Sequence, residues 1–216
     1  AGEITGIAGL VGCGKSEAIR AIFGLEEIAE GSIRVGDEVV TRPTPASMLR
    51  RGLCYFPSDR VAEGLALARP VRENASMAAL DLPAFSRRSV LQRRSERRTV
   101  QKIIDRLNLR PPHIERAVAK FSGGNRQKVL LILAETEVAH AETSLLLMDE
   151  PLSGLDGETR ELVTDLWAST SPTVLRLIIM HELESVHQAD SLFTIARGVL
   201  HHATERVGAT WMDTYH

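Results

Sequence analysis

At 216 residues, with 26 basic against 28 acidic side chains, the chain can bury a sizeable core and carries no global field that would draw it to nucleic acid or an anionic membrane. Apolar residues make up 44% and aromatics 4%, as in an ordinary α/β protein, and no apolar run approaches the ~20 residues of a membrane span. Two cysteines, Cys13 and Cys54, make no disulfide framework and read as reduced thiols.

The chain opens abruptly at Ala1-Gly2-Glu3, which reads as the start of an excised fragment. Glu3–Ala8 reads as a short buried strand leading into Gly9-Leu10-Val11-Gly12-Cys13-Gly14-Lys15-Ser16, a fit to G-x-x-x-x-G-K-[ST]. Glycines let successive backbone N–H groups curl around a phosphate chain, and a helix opening there adds its dipole. Lys15 supplies a mobile positive charge and the Ser16 hydroxyl a ligand for Mg²⁺. Ile19, Ile22 and Phe23 repeat at helical spacing and Gly24 gives a stop. A glycine-rich turn that binds nothing is the plain alternative, and strand, loop and helix in this order argue against it.

Gly31–Gly36 and Glu38–Val40 predict a hairpin turning at Gly36-Asp37. Arg42-Pro-Thr-Pro45 predicts a loop capping a short helix near Ser47–Arg51, and Leu53–Phe56 a second buried strand. Residues 61–120 show few strand signals and one amphipathic helix, with Val100, Ile103, Ile104 and Leu107 on one face, ending before Pro111-Pro112. Arg87, Arg88, Arg93, Arg94, Arg97 and Arg98 form a basic stripe there, read as a solvated face with docking of an acidic partner as the alternative. No aromatics interleave with it, which argues against a nucleic-acid platform.

After residue 121 the pattern alternates: helix Asn125–Val138, strand Leu145–Met148, helix Gly157–Ser169, strand Val174–Met180, helix Glu182–Ala189 and strand Leu192–Ala196. Strands apolar throughout and separated by helices predict a parallel sheet covered on both faces. Leu145-Leu-Leu-Met-Asp149-Glu150 sets two carboxylates at the C-terminal end of such a strand, where α/β sheets hold ligands. Asp149 can hold Mg²⁺ and Glu150 can activate a water. Phe121-Ser122-Gly123-Gly124-Asn125 opens a helix whose first amides are bare for an anion. One fold has no reason to clamp one phosphate from two distant helix ends, so Ser122–Asn125 is expected to serve a nucleotide on another subunit. Cys13, at a helix N-terminus, is expected to be a reactive thiol whose alkylation blocks nucleotide binding. His201-His202 read as tail residues rather than metal ligands.

The set Gly9–Ser16, Phe121–Asn125, Leu145–Glu150, Ser153-Gly-Leu-Asp156 and His181 resembles, over nearly the whole chain, the nucleotide-binding domain of ATP-binding cassette (ABC) proteins. The resemblance implies a RecA-like α/β P-loop NTPase: a parallel sheet with helices on both faces, a partial antiparallel β subdomain and an inserted α-helical subdomain. It places the P-loop core and hairpin in residues 1–60, the helical subdomain in 61–120, and the signature helix and Walker B core in 121–216. ATP and Mg²⁺ are the implied cofactors. Gly9, Gly12, Cys13, Gly14, Lys15, Ser16 and Glu17 would meet the nucleotide, and Ser16 and Asp149 the metal. Glu150 becomes the hydrolytic base, His181 the switch histidine, and Asp156 the D-loop link across a dimer. Ser122, Gly123, Gly124 and Asn125 would complete the site of a partner cassette.

Tyr55–Arg60, Glu63-Gly-Leu65, Val71–Asn74 and Ser122–Lys128 resemble more narrowly the second ATPase half of bacterial sugar importers of the ribose, galactose and xylose type. The partners this implies are a second cassette (in the same polypeptide or as a homodimer), membrane permease subunits, and indirectly a periplasmic solute-binding protein; nucleic acid is not among them. The implied location is the cytoplasmic face of the inner membrane. The Q-loop position of that family is occupied by Ser58, followed by Asp59, and Ser58 is too short to reach Mg²⁺. The upstream aromatic that stacks on adenine in the family is absent from this stretch as well, so the isolated piece is expected to bind nucleotide weakly and to hydrolyse little of it. Two alternatives stay open: a regulatory cassette that binds ATP and barely cleaves it, and a soluble ABC ATPase without a transport role.

Overall fold

The structure, a computed structural model, describes residues 3–80, 83, 85–88, 90–140, 143–169, 174–180, 189–202, 205–207 and 210–212. The chain forms two compact units, one of Ala1–Tyr55, Thr143–Glu150 and Pro172–His216, the other of Phe56–Glu142 and Pro151–Ser171.

The first unit is built on a six-stranded sheet. Its strands in chain order are β1 (Ile4–Gly9), β4 (Leu53–Phe56), β7 (Leu145–Asp149), β8 (Leu175–Ile179), β9 (Ser191–Ala196) and β10 (Val199–His202), and across the sheet they run β10-β9-β1-β8-β7-β4. β1 pairs in parallel with both β8 and β9, β7 pairs in parallel with β8, and β10 closes one edge antiparallel to β9. The apolar runs read as buried strands thus become the central ladder, and β1 leads its loop out at the middle of the sheet.

On one face lie α1 (Lys15–Phe23), the hairpin β2 (Ile33–Val35) and β3 (Glu38–Val40), and α2 (Pro45–Leu49). Their packing explains the sequence pattern. Ile19 and Phe23 of α1 are buried, the first against Ile7, Ile179 and Ile195, the second with Val40, Met48, Leu53 and Leu147. Thr44 caps α2 with the reciprocal Ser47 box, as its Pro45 start favours. A second small ladder joins β11 (Glu205–Val207) and β12 (Thr210–Met212).

Gly24 ends α1 with φ +86°, and its N–H bonds to Ala21 O at 3.0 Å. A Cβ there would lie 2.6 Å from Pro43 C and 2.7 Å from Pro43 O, both backbone atoms with no rotamer to yield. Gly24→Ala is expected to lower stability by about 2–4 kcal/mol, a steric overlap added to left-handed strain; urea denaturation measures it.

The second unit contains α3 (Val71–Ser76), α4 (Arg93–Arg106), α5 (Gly123–His140) and α6 (Gly157–Ser169), with a two-residue ladder between β5 (Ser86–Arg87) and β6 (Val90–Leu91). α3, α4 and α5 pack on one another. Val100, Ile103, Ile104 and Leu107 are all buried, as their spacing predicts. α3 and the β5–β6 ladder are additions to the single helix and sparse strand signal expected for residues 61–120. The stripe Arg87, Arg88, Arg93, Arg94, Arg97 and Arg98 is exposed.

His201 and His202 are not tail residues as expected: they lie in β10, whose four residues are all exposed, and His202 pairs with Phe193 of β9 with ring centroids 4.7 Å apart. An edge strand open on both faces lacks the alternation that marks a strand in sequence. The helix expected over 182–189 lies almost wholly outside the described residues. Among the described residues no helix is long and apolar enough to cross a membrane.

Candidate functional site

The loop from Gly9 to Ser16 joins β1 to α1 at the C-terminal edge of the sheet. Gly12 and Gly14 take φ +77° and +100°, and a Cβ on either would meet nothing within 4 Å. They are glycines for conformation, not for space. Gly9 is the reverse case: a Cβ there would lie 2.6 Å from Cys13 Sγ and 2.8 Å from the Ile195 carbonyl oxygen. Leu10 and Val11 stand outward, 84% and 87% exposed.

Lys15 is 4% exposed, and its ammonium donates to the carbonyls of Gly9 (3.2 Å) and Leu10 (3.4 Å), within the loop itself. The Ser16 hydroxyl donates to Asp149 Oδ1 at 3.2 Å across 133 residues of sequence. That contact arises because α1 crosses from β1 over to β7, two places along the sheet, so the loop and the acidic strand end converge. Asp149 is 2% exposed, and Glu150 beside it takes φ +50° while its N–H bonds to Ile179 O at 3.3 Å. Glu17 is exposed in the first turn of α1, where a carboxylate suits the dipole.

These groups fit a nucleotide and a hard cation. Oxygen donors from one hydroxyl and one carboxylate match Mg²⁺, which takes few protein ligands and completes its shell with phosphate and water. No cluster of three His, Cys, Asp or Glu that could cage a metal unaided occurs among the described residues.

The Ser122–Asn125 element lies in the second unit. Ser122 precedes α5, and Arg126 N–H bonds to its carbonyl at 2.9 Å. Phe121 is buried, with the Arg116 guanidinium 5.4 Å from its ring centre, and Arg126 donates to Ala119 O at 2.8 Å. The first turns of α5 also hold the segment that follows Glu150. Gln127 Nε2 donates to Pro151 O at 2.6 Å, and a Cβ on Gly124 would come 3.3 Å from Gly154 O. Lys128, the residue after Gln127, donates from its ammonium to Asn108 O at 3.2 Å, so both side chains tie α5 to other segments. Their partners, remote in sequence, give no local signal.

Asp156 accepts the Thr159 N–H at 2.8 Å and so caps α6; that bond holds its carboxyl below the usual carboxylate range. Ser58 is exposed, and Asp59 is committed to its own turn, accepting from the N–H groups of Val61 (3.0 Å) and Ala62 (2.9 Å). Cys13 is half-buried and unpaired with Cys54. His181 lies outside the described residues.

The family profile described as ABC transporter matches residues 1–153. The chain belongs to the ABC transporter family. The chain is 33% identical to the "Putative ribose/galactose/methyl galactoside import ATP-binding protein 1" of Burkholderia ambifaria, a match covering 95% of this chain and 42% of that protein. It is 31% identical to the "Ribose import ATP-binding protein RbsA" of Oceanobacillus iheyensis, covering 97% and 41%. The chain thus spans about two fifths of the length of these curated relatives. Among solved structures, the ATP-binding cassette MJ0796, in a dimeric post-hydrolysis state bound to ADP and Pi, superposes with a TM-score of 0.78 at 17% identity, covering 95% of this chain and 87% of that one. This likeness shows the fold: the ABC chain has the α/β P-loop NTPase architecture that its motifs predict.

Proposed function

We propose that this ABC chain binds and hydrolyses ATP at a head-to-tail interface with a second cassette and so drives a membrane permease that imports a sugar. One observation carries the reading. The buried Lys15 ammonium and the Ser16–Asp149 pair converge at the end of β1, beside a loop that Gly12 and Gly14 turn with positive φ. The relatives' names supply the direction of transport and the solute class.

In this reading Gly9, Gly12, Cys13 and Gly14 shape the loop, Lys15 meets the terminal phosphates, and Ser16 and Asp149 hold Mg²⁺. The cation, when bound, offsets the negative charge of the phosphates. Glu150 orients and deprotonates the attacking water, with His181 as the switch histidine. Ser122, Gly123, Gly124 and Asn125 act on the nucleotide of the partner cassette, and Asp156 lies on the linking loop. The helical subdomain within residues 61–120 would face the permease, at the cytoplasmic side of the inner membrane, with the solute delivered by a periplasmic binding protein.

Lys15→Ala in the full-length protein is expected to cut ATP turnover at least ~100-fold, since it removes a charge that is worth more in the transition state than in the ground state. Turnover that survives this change would sink the reading. In vesicles with the permease, ribose or galactose uptake should fall in parallel with ATP turnover.

A second reading has its own support. Ser58 is short, and one oxygen of the Asp59 carboxylate is committed to the N–H groups of Val61 and Ala62, so the Q-loop position offers no long side chain free for a metal as the family's Gln or Glu does. A cassette that binds ATP and regulates its partner fits that geometry.

A further inference from the structure

The side-chain amide of Asn125 makes two bonds whose direction decides how Ser122 is presented. Asn125 Oδ1 accepts the backbone N–H of Arg110 at 3.2 Å, and Asn125 Nδ2 lies 3.1 Å from Ser122 Oγ. A backbone N–H can only donate, so the amide oxygen must face Arg110 and the NH₂ group must face Ser122. The orientation of the amide is thereby settled by the chemistry of its partners. Ser122 Oγ is the acceptor in the second bond. A hydroxyl has a single proton, and accepting from Asn125 leaves that proton for another partner.

Ser122 is exposed at the start of α5, where the first amides of the helix have no acceptor within it. We infer that Asn125 is a positioning residue: braced by the Arg110 N–H, it turns the Ser122 hydroxyl proton outward as a donor to phosphate oxygen on the nucleotide of the partner cassette. This rests on the function proposed above and reassigns Asn125 within it. One lone pair of its amide oxygen and one of its two amide protons are engaged inside its own chain, and the proton it gives is the one that sets Ser122. Lys128 reinforces the brace one turn further on, holding the Asn108 carbonyl of the same Asn108–Arg110 segment.

Asn125→Asp separates this role from a structural one. The carboxylate keeps the size of the side chain and the bond from Arg110, but its second oxygen can only accept. The Ser122 proton is then drawn inward and lost to the phosphate. In the full-length protein, kcat for ATP is expected to fall about tenfold or more, with KM within about twofold, because the donor matters most where charge develops in the transition state. Ser122→Ala should give a comparable loss, and the double variant should be no worse than Ser122→Ala alone. Urea midpoints of all three should stay close to the parent.

A normal kcat for Asn125→Asp beside a crippled Ser122→Ala overturns the positioning role and leaves the proposed function standing. Additive losses in the double variant also overturn it, since they mean that Asn125 acts independently of Ser122. Full turnover in Ser122→Ala would overturn the reading of Ser122–Asn125 as a site in trans, and the role of Asn125 with it.

Discussion

Arg72→Met is expected to lower the stability of the second unit by about 3–5 kcal/mol, the cost of leaving a buried carboxylate without its counter-ion. The Arg72 side chain is 6% exposed and that of Glu96 is 1% exposed, with Nη1 of the former 2.8 Å from Oε2 of the latter. The other oxygen of Glu96 accepts from Ser76 Oγ at 2.6 Å, and Arg72 Nε reaches Glu115 Oε1 at 2.9 Å. One guanidinium therefore holds α3, α4 and the segment at Glu115 together. Methionine keeps the volume of the stem but supplies no donor, and Glu96 must either stay charged and unpaired or take up a proton. The second change in a pair should reverse much of the loss: adding Glu96→Leu removes the stranded charge. Denaturation followed through the buried Trp167 measures both. A loss under 1 kcal/mol for Arg72→Met would mean that packing alone holds these helices.

The same network sets an acid limit. The bond from Arg72 holds the Glu115 carboxyl below the usual carboxylate range. A depressed carboxyl contributes stability that is complete above its unfolded pKa of about 4.3 and is lost as pH falls through the folded value. Glu115 is half-exposed, with a side-chain accessibility of 47%, so solvent screens much of the interaction. Glu115→Gln should therefore flatten the acid side of the stability profile modestly, while the Arg72 effect persists at neutral pH.

α3 shows why this unit was harder to read in sequence than the sheet. The central strand β7 buries Leu146, Leu147 and Met148, so its apolar run announces it, and β8 is announced by the leucines and isoleucines around its buried Arg176. α3 buries Arg72, Asn74 and Ser76 alongside Val71 and Ala75, and a polar inward face has no hydrophobic period to detect. Its partners, Glu96 and Glu115, lie far along the chain. Asn74 makes the same point, accepting from Ala66 N–H at 2.8 Å and donating to Ala66 O at 3.1 Å. The phosphate loop was legible because its chemistry demands fixed residues at fixed spacing. The motifs already put Ser16 and Asp149 on one metal, but that the hydroxyl bonds the carboxylate directly rests on α1 crossing from β1 past β8 to β7. That Asn125 bonds Arg110 needed the packing of the second unit, since nothing in the spacing of 15 residues specifies it.

Glu150→Gln is expected to leave ATP binding intact and to cut turnover about 100- to 1,000-fold, the usual cost of losing a positioned base. The backbone supplies an argument independent of family likeness. Glu150 takes φ +50°, a conformation that costs a residue with a Cβ about 1 kcal/mol or more, and it does so immediately after the strand that delivers Asp149. Its N–H to Ile179 O bond keeps it there. Glycine would adopt this conformation without strain, so Glu150→Gly is expected to be more stable than the parent by up to ~1 kcal/mol while losing turnover with the glutamine variant. ATP titration, single-turnover hydrolysis and urea denaturation on the two variants test this together. Unchanged hydrolysis in Glu150→Gln would overturn the role of Glu150 as the base.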